Sequence, residues 1–254
     1  MAQNILMVND FNPSDKNIVF LPPRANKMGG QSVLINYSED GGRGGPFMLQ
    51  TCRVRAPFGV DMNDKSPDGP KYHVSVSLAN EQTENVNLRK FTQNIRDLDE
   101  LAKTEPTTNS SWFGKTLSPE LINEFYKSAE KFPKDSKWPS NLKLKLPFDR
   151  QGKPQFVVYD EQKNPVDVFD VEGNVDPSFI PKGCELVCLI QPTGVWFVGK
   201  TQYGVGYKLL QAKMYKSSKL NGYAIIDDDD KEAVDSEKEE EEEEEEGEEE
   251  TGPE

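Results

Sequence analysis

The chain has 254 residues, 44 acidic against 30 basic, for a net charge of -14, with one histidine and three cysteines. A single histidine leaves no basis for a multi-histidine metal site, and its place in the strand KYHVSVSL argues against a His-based triad; an odd, small cysteine count rules out a disulfide framework. No apolar run approaches the roughly 18 residues that cross a bilayer. The opening MAQNILMVNDFNPSDKN lacks the basic-then-apolar pattern of a secretory signal. The expectation is a soluble, intracellular protein with no membrane partner.

The charge is divided unevenly. Residues 227–254 hold 19 acidic residues and two lysines, which leaves 28 basic and 25 acidic residues in 1–226. A mildly basic body of one large domain thus precedes an intensely acidic tail, whose glutamates repel one another and offer nothing apolar to bury. The tail, 227–254, is expected to be disordered.

In chain order, SVLINY (32–37) and PFMLQTCRVRAPFGV (46–60) read as strands joined by a hairpin loop, SEDGGRGG. KYHVSVSLAN (71–80) is an alternating strand. It places His73 opposite Tyr72, Val74 and Val76, on the polar face. In 86–103, Leu88, Phe91, Ile95, Leu98 and Leu101 recur at helical spacing. Ser118-Pro119 supplies an N-cap and a proline at the first helical position for a second helix, PELINEFYKSAEKF, stopped by Pro133 and Pro139. Strands then resume. NLKLKLPF (141–148) sets three leucines on one face and Lys143 and Lys145 on the other. QFVVYDEQKNPVDVFD turns at Lys163-Asn164-Pro165. CELVCLIQPTGVWFVG and YGVGYKLLQAKMY are two long final strands. Cys184 and Cys188 lie on one strand face about 13 Å apart, too far to bridge, and are expected to be structural thiols without a metal. Strands, two helices and strands again, without a βαβ rhythm, predict a mainly β, α+β fold: a small barrel with a helical insertion at about 86–132.

GVWFVGKT (194–201) matches the spacing of a phosphate-binding loop. Such a loop needs flexible residues between its glycines and a helix opening at the lysine. Here the intervening residues are Val, Trp, Phe and Val, which favour extended backbone, and glycines at 204 and 206 follow. The expected chemistry is therefore not nucleotide hydrolysis, and no catalytic residue, metal or cofactor is assigned.

Read as a hairpin, the same region interleaves rings and cations: Trp196, Phe197, Lys200, Tyr203, Tyr207, Lys208, Lys213, Tyr215 and Lys216. Rings stack on unpaired bases and lysines neutralise phosphates, the combination that holds a single strand. In alternation, one of Trp196 and Phe197 must face inward. Gly204 and Gly206 allow close approach of a ligand or a bend in the sheet. Lys143, Lys145, Arg53 and Arg55 add cations on other strand faces. The tail fits this picture as a tethered polyanion. Its 28 residues reach up to about 90 Å, so it can compete for a basic groove and yield to ligands that add stacking to charge.

The stretches GGQSVLINY, LQTCRVRAPFGV, WFGKTLSPELINEFY, LKLKLPF and GVWFVGKTQYGVGYKLLQAK, in this order over roughly 28–216, resemble the single-stranded DNA-binding proteins of nucleocytoplasmic large DNA viruses. Those in turn resemble phage replication single-strand binders. The resemblance implies a five-stranded OB-fold barrel over 1–226, elaborated by extra hairpins and two helices. It implies roles in viral DNA replication, recombination and repair, in host cytoplasm or nucleus. Replication proteins such as a polymerase or helicase would be recruited through the acidic tail, and a homodimer stays open. By position it carries over Trp196, Phe197, Lys200, Tyr203, Tyr207 and Lys208, together with Arg53, Arg55 and Phe58, and Trp112, Phe113 and Lys115. Related acidic tails end on an aromatic or apolar residue, whereas TGPE closes this one, which favours electrostatic gating over anchored docking. The rival expectation is an acidic-tailed histone chaperone, in which the tail itself is the binding site.

Overall fold

The computed structural model describes residues 4–25, 30–64, 69–135 and 137–215. The acidic tail 227–254 and Lys216 lie outside them. Among the described residues, the strands are β1 (Ile5–Met7), β2 (Ile18–Phe20), β3 (Arg24–Ala25), β4 (Gln31–Val33), β5 (Ile35–Tyr37), β6 (Met48–Gln50), β7 (Val54–Ala56), β8 (Val60–Asn63) and β9 (Lys71–Ser77). Helices α1 (Val86–Thr104) and α2 (Pro119–Phe125) follow, and then β10 (Glu130–Lys131), β11 (Asn141–Leu146), β12 (Val157–Tyr159), β13 (Cys184–Val198) and β14 (Gln202–Tyr215). The fold is mainly β with two helices.

The β13–β14 hairpin is the spine. Its antiparallel register runs from Glu185 opposite Tyr215 to Val198 opposite Gln202. Two irregularities, at Leu189/Ile190 and Pro192/Gly194, bend it. Proline cannot donate to a ladder, and its place beside a bulge follows from that. The bend lets β13 pair first with β7, then with β6, then with β4. The free edge of β14 is shared in the same way by β11 and β12, both parallel to it. Beyond β11 come β9 and β8. β7 also lies against β9, so β7, β13, β14, β11 and β9 form a five-strand circuit. The residues facing into it are buried, among them Val54, Val74, Leu144, Ile190 and Leu209.

Helix α1 forms as its 3.6-residue pattern predicts. The Asn85 side chain caps it by accepting from the Leu88 amide at 3.1 Å. Phe91, Ile95, Leu98 and Ala102 are buried against the sheet, each of the three larger ones contributing about 1.5–3 kcal/mol.

Several expectations need correction. The stretch 46–60 is three short strands, β6, β7 and the start of β8, interrupted by a bend at Arg53 and by Gly59, which has φ +66°. The 38–45 loop is pinched by a bridge between Tyr37 and Gly45, yet it joins no hairpin, since β5 pairs with β2 and β6 with β1 and β13. Helix α2 ends at Phe125 rather than near 132. The chain leaves the helix there so that the Tyr126 hydroxyl, the Ser128 hydroxyl and the Ala129 amide can donate to the buried Asp99 carboxylate of α1. Residues 130 and 131 then pair with β11. His73 does lie on the polar face, opposite Lys145 and Asp61, but it is buried there, and its Nε2 meets Asp61 Oδ2 at 2.8 Å. GVWFVGKT, by contrast, is as expected: the end of β13 plus the hairpin turn, followed by a strand and not a helix.

Candidate nucleic-acid interface

Register puts a set of side chains on one face of the sheet. Lys145 stands opposite His73 on β9 and opposite Lys208 on β14; Lys143 stands opposite Ser75. Trp196 stands opposite Gly204, which has the same parity on β14 as Gly206 and Lys208. Trp196 is therefore about 13 Å along the sheet from Lys208, on the same face.

The segment 127–131, released from α2, forms a lip over this face. The Lys127 amide donates to the Tyr203 carbonyl at 2.8 Å. Between lip and sheet lies a groove of about 360 Å³, lined by Lys71, Lys127, Lys131, Lys143, Lys145 and Trp196. Lys127 and Lys131 touch backbone carbonyls of Glu124 and Ser128, which orient the ammonium groups without neutralising them. Among the described residues, no carboxylate pairs with Lys143, Lys145 or Lys208.

The groove's cations lie close enough to act on one another. Burial lowers the Lys131 pKa most; Asp99 opposes it, and Lys127 and Lys143 lower it further. His73 is lowered by burial and then by Lys143, with Asp61 pulling the other way. Cations crowded together bind an anion more strongly than dispersed ones, because the anion relieves their mutual repulsion.

Trp196 is half-buried and has a floor made for it. A β-carbon on Gly206 would approach its Cδ1 to 3.4 Å, and one on Gly204 its Cζ2 to 3.0 Å. The glycines thus let the indole lie on the strand. The close approach they serve is to Trp196 and to the Lys127 carbonyl, rather than to a ligand. Among the described residues the indole has no aromatic partner.

The other candidates are distributed differently. Tyr203 is fully buried, its hydroxyl donating to the Lys103 carbonyl at 2.7 Å. Phe197 lies parallel to the Tyr203 ring, at 6.1 Å and 14°. Trp112 and Phe113 meet both rings edge-on. These four rings pack together on the opposite side of the hairpin; the stacking expected of Tyr203 is corrected to a core role, while Phe197 is half-buried against it and faces away from the lysine groove. Tyr207 is buried in the inner wall of the groove, and its hydroxyl lacks a hydrogen-bond partner. Burial, then Asp99, raises its pKa well above the ordinary value. Lys200 is exposed in the turn.

Arg53, Arg55, Lys213 and Tyr215 form a separate cluster at the far end of the hairpin, about 30 Å from Trp196 along β14. There Arg53 lies 3.7 Å from the Tyr215 ring centroid and 3.3 Å from Glu185. Lys213 is 5.2 Å from the same centroid, and Arg55 is opposite Glu185 in register. The Tyr215 ring is already covered by a cation, and one of its cations is already paired.

Lys71, Lys127 and Lys131 were not singled out in the sequence. Lys127 and Lys131 sat four apart in the expected second helix, where such charges read as a solvated face. The cysteines behave as expected of structural thiols: burial raises Cys184 and Cys52 to about 11 and Cys188 to about 12.

Among solved structures, the chain is similar to the crystal structure of gp2.5, a single-stranded DNA binding protein encoded by bacteriophage T7. The identity is 11% and the TM-score 0.45, over 71% of this chain and 98% of that one. It is also similar to the single-stranded DNA-binding protein from bacteriophage Enc34 in complex with ssDNA, at 13% identity and TM-score 0.40 over 80% and 98% of the two chains. The same phage protein without ssDNA gives 14% and 0.37 over 84% and 98%. No curated protein matches the sequence. The model of a protein family of unknown function, DUF5871, matches residues 73–228, more than half of the sequence, and the chain belongs to that family.

Proposed function

We propose that this protein binds single-stranded DNA, without strong sequence preference and without catalysing a reaction. The observation that carries the reading is the groove lined by five lysines and Trp196, an indole lying on glycine backbone with no ring partner of its own among the described residues. Lysines alone would serve any polyanion; the indole adds about 1–3 kcal/mol for a base that is free to stack. A duplex keeps its bases stacked on one another and gains only the charge term. The five-strand circuit of β7, β13, β14, β11 and β9 fits an OB-type barrel, a fold that offers a sheet face to a strand.

Following the sequence resemblance, we place the activity in replication, recombination and repair of a large viral DNA genome, in host cytoplasm or nucleus. The acidic residues 227–254 act as a tethered competitor for the groove and as the contact for replication proteins.

The test is fluorescence anisotropy with labelled oligo-dT and a duplex of the same length, on the full chain and on 1–226. Tight, salt-sensitive binding to oligo-dT is expected, with duplex affinity rising on truncation. Unchanged duplex affinity would remove the tail from the account. Failure of both proteins to bind oligo-dT would overturn the reading. Loss of binding to basic proteins on truncation would point instead to a histone chaperone.

A further inference from the structure

The β10–β11 hairpin carries a feature the groove does not use. Its base is fixed. Arg96 of α1 donates through Nε and Nη2 to the two oxygens of the buried Glu130, each at 2.8 Å, and the Ser140 hydroxyl donates to the same carboxylate. Its tip is bare: Phe132 is 73% exposed and Trp138 68%. Neither ring has an aromatic partner among the described residues. Pro133 and Pro139 stand next to them and restrict the backbone that presents them. Large rings held out in water on a stiffened loop offer area at low entropic cost to whatever binds them.

Phe132 and Trp138 overhang a cleft of about 820 Å³ along α1, lined also by Arg89, Arg96 and Lys134, with Glu81 the one carboxylate. Arg96 is committed to Glu130, so Arg89 and Lys134 supply the cationic surplus. The cleft and the lysine groove have neighbouring linings at the base of this hairpin. Lys131 and Leu142 line the groove; Phe132, which follows Lys131, and Ser140, two residues before Leu142, line the cleft, and Lys131 is opposite Asn141. A ligand leaving the groove past Lys131 meets Phe132 next.

We propose that the bound strand continues from the groove over the β10–β11 hairpin, where Phe132 and Trp138 stack on further unpaired bases and Arg89 and Lys134 take the phosphates between them. The proposal rests on the single-strand reading of the groove and extends the footprint beyond it. A polyanion with flat apolar bases is the occupant favoured by the nearness of the lysine groove and by the two rings and three lysines of KFPKDSKW, against its single Asp135.

The experiment compares a short oligo-dT of about 6 nucleotides with a long one of about 20. It uses the full-length wild type, the double variant Phe132→Ala/Trp138→Ala, and Trp196→Ala. The double variant should bind the long oligonucleotide about tenfold more weakly or worse and the short one as the wild type does. Trp196→Ala should weaken both. Both rings are exposed, so an unchanged thermal melt is expected of the double variant. Wild-type affinity of the double variant for both lengths would overturn the extension and leave the groove reading intact. So would equal weakening for both lengths, which would put the rings inside the primary site. Failure of the wild type to bind either oligonucleotide would bring down the groove reading and the extension with it.

Discussion

Trp196 and Gly204 are fitted to one another: a β-carbon on Gly204 would stand 3.0 Å from Cζ2 of the indole and 2.3 Å from the Lys127 carbonyl oxygen. The strand position that supports the indole also supports the lip of the groove. Gly204→Ala must displace one or the other. It should cost about 1–3 kcal/mol of stability and weaken oligo-dT binding about tenfold, read together by thermal melting and anisotropy. Wild-type affinity in a folded Gly204→Ala protein would separate the indole from the binding site.

Trp196 itself is half-buried, so shortening it removes more stacking than packing. Trp196→Ala should lose about 1–3 kcal/mol of oligo-dT affinity and Trp196→Phe less. Duplex binding should change little in either.

The lysines should appear in the salt dependence. For a single strand, each phosphate neutralised contributes about 0.7 to the slope of log affinity against log salt. Lys143→Gln and Lys145→Gln should each flatten that slope by about this amount. Lys213→Gln, in the separate cluster over Tyr215, should leave it unchanged. Equal flattening by all three would mean that the cations act as a diffuse field and not as a groove.

His73 gives a pH signature with a definite sign. An unfolded histidine titrates near 6.5, whereas burial and then Lys143 lower His73 in the folded chain. The unfolded state therefore binds more protons in the window between the two values. Stability is lost as pH falls below about 6.5 and is fully present above it. Phosphates over Lys143 and Lys145 would reverse part of this shift, so binding should take up protons. Oligo-dT affinity should rise from about pH 8 to about pH 6 more steeply in the wild type than in His73→Gln. Parallel pH profiles for the two proteins would contradict the placement of phosphates beside His73.

Tyr203 serves as the internal control. Its hydroxyl donates to the Lys103 carbonyl from a fully buried ring. Tyr203→Phe should cost about 1 kcal/mol of stability and leave oligo-dT affinity within about twofold.

What the sequence disclosed depended on how local the cause was. The leucines and lysines of β11 alternate, Phe91, Ile95 and Leu98 of α1 recur every turn, and β13 and β14 are long, so all of these elements are readable from neighbours in the chain. The end of α2 is not, because the group that pulls Tyr126, Ser128 and Ala129 out of the helix is Asp99, on another element. Its consequence is also hidden: only after that break do Lys127 and Lys131 face Lys143 and Lys145. Trp196-Phe197 says that one ring faces inward but not which. The choice is made by Trp112, Phe113 and Tyr203, which take Phe197, and by Gly204 and Gly206, which leave room for the indole alone. Arg53 and Tyr215 read as cation and ring available to DNA, and the structure has them occupied with each other and with Glu185.

The central claim is that Trp196 stacks on an unpaired base in the lysine groove, and tryptophan fluorescence tests it most directly. In a Trp138→Phe background the remaining indoles are Trp196 and the buried Trp112. Titration with oligo-dT should quench the emission saturably, and adding Trp196→Phe should abolish the quenching. Binding by anisotropy with no quenching, or quenching that survives the loss of Trp196, would contradict the account.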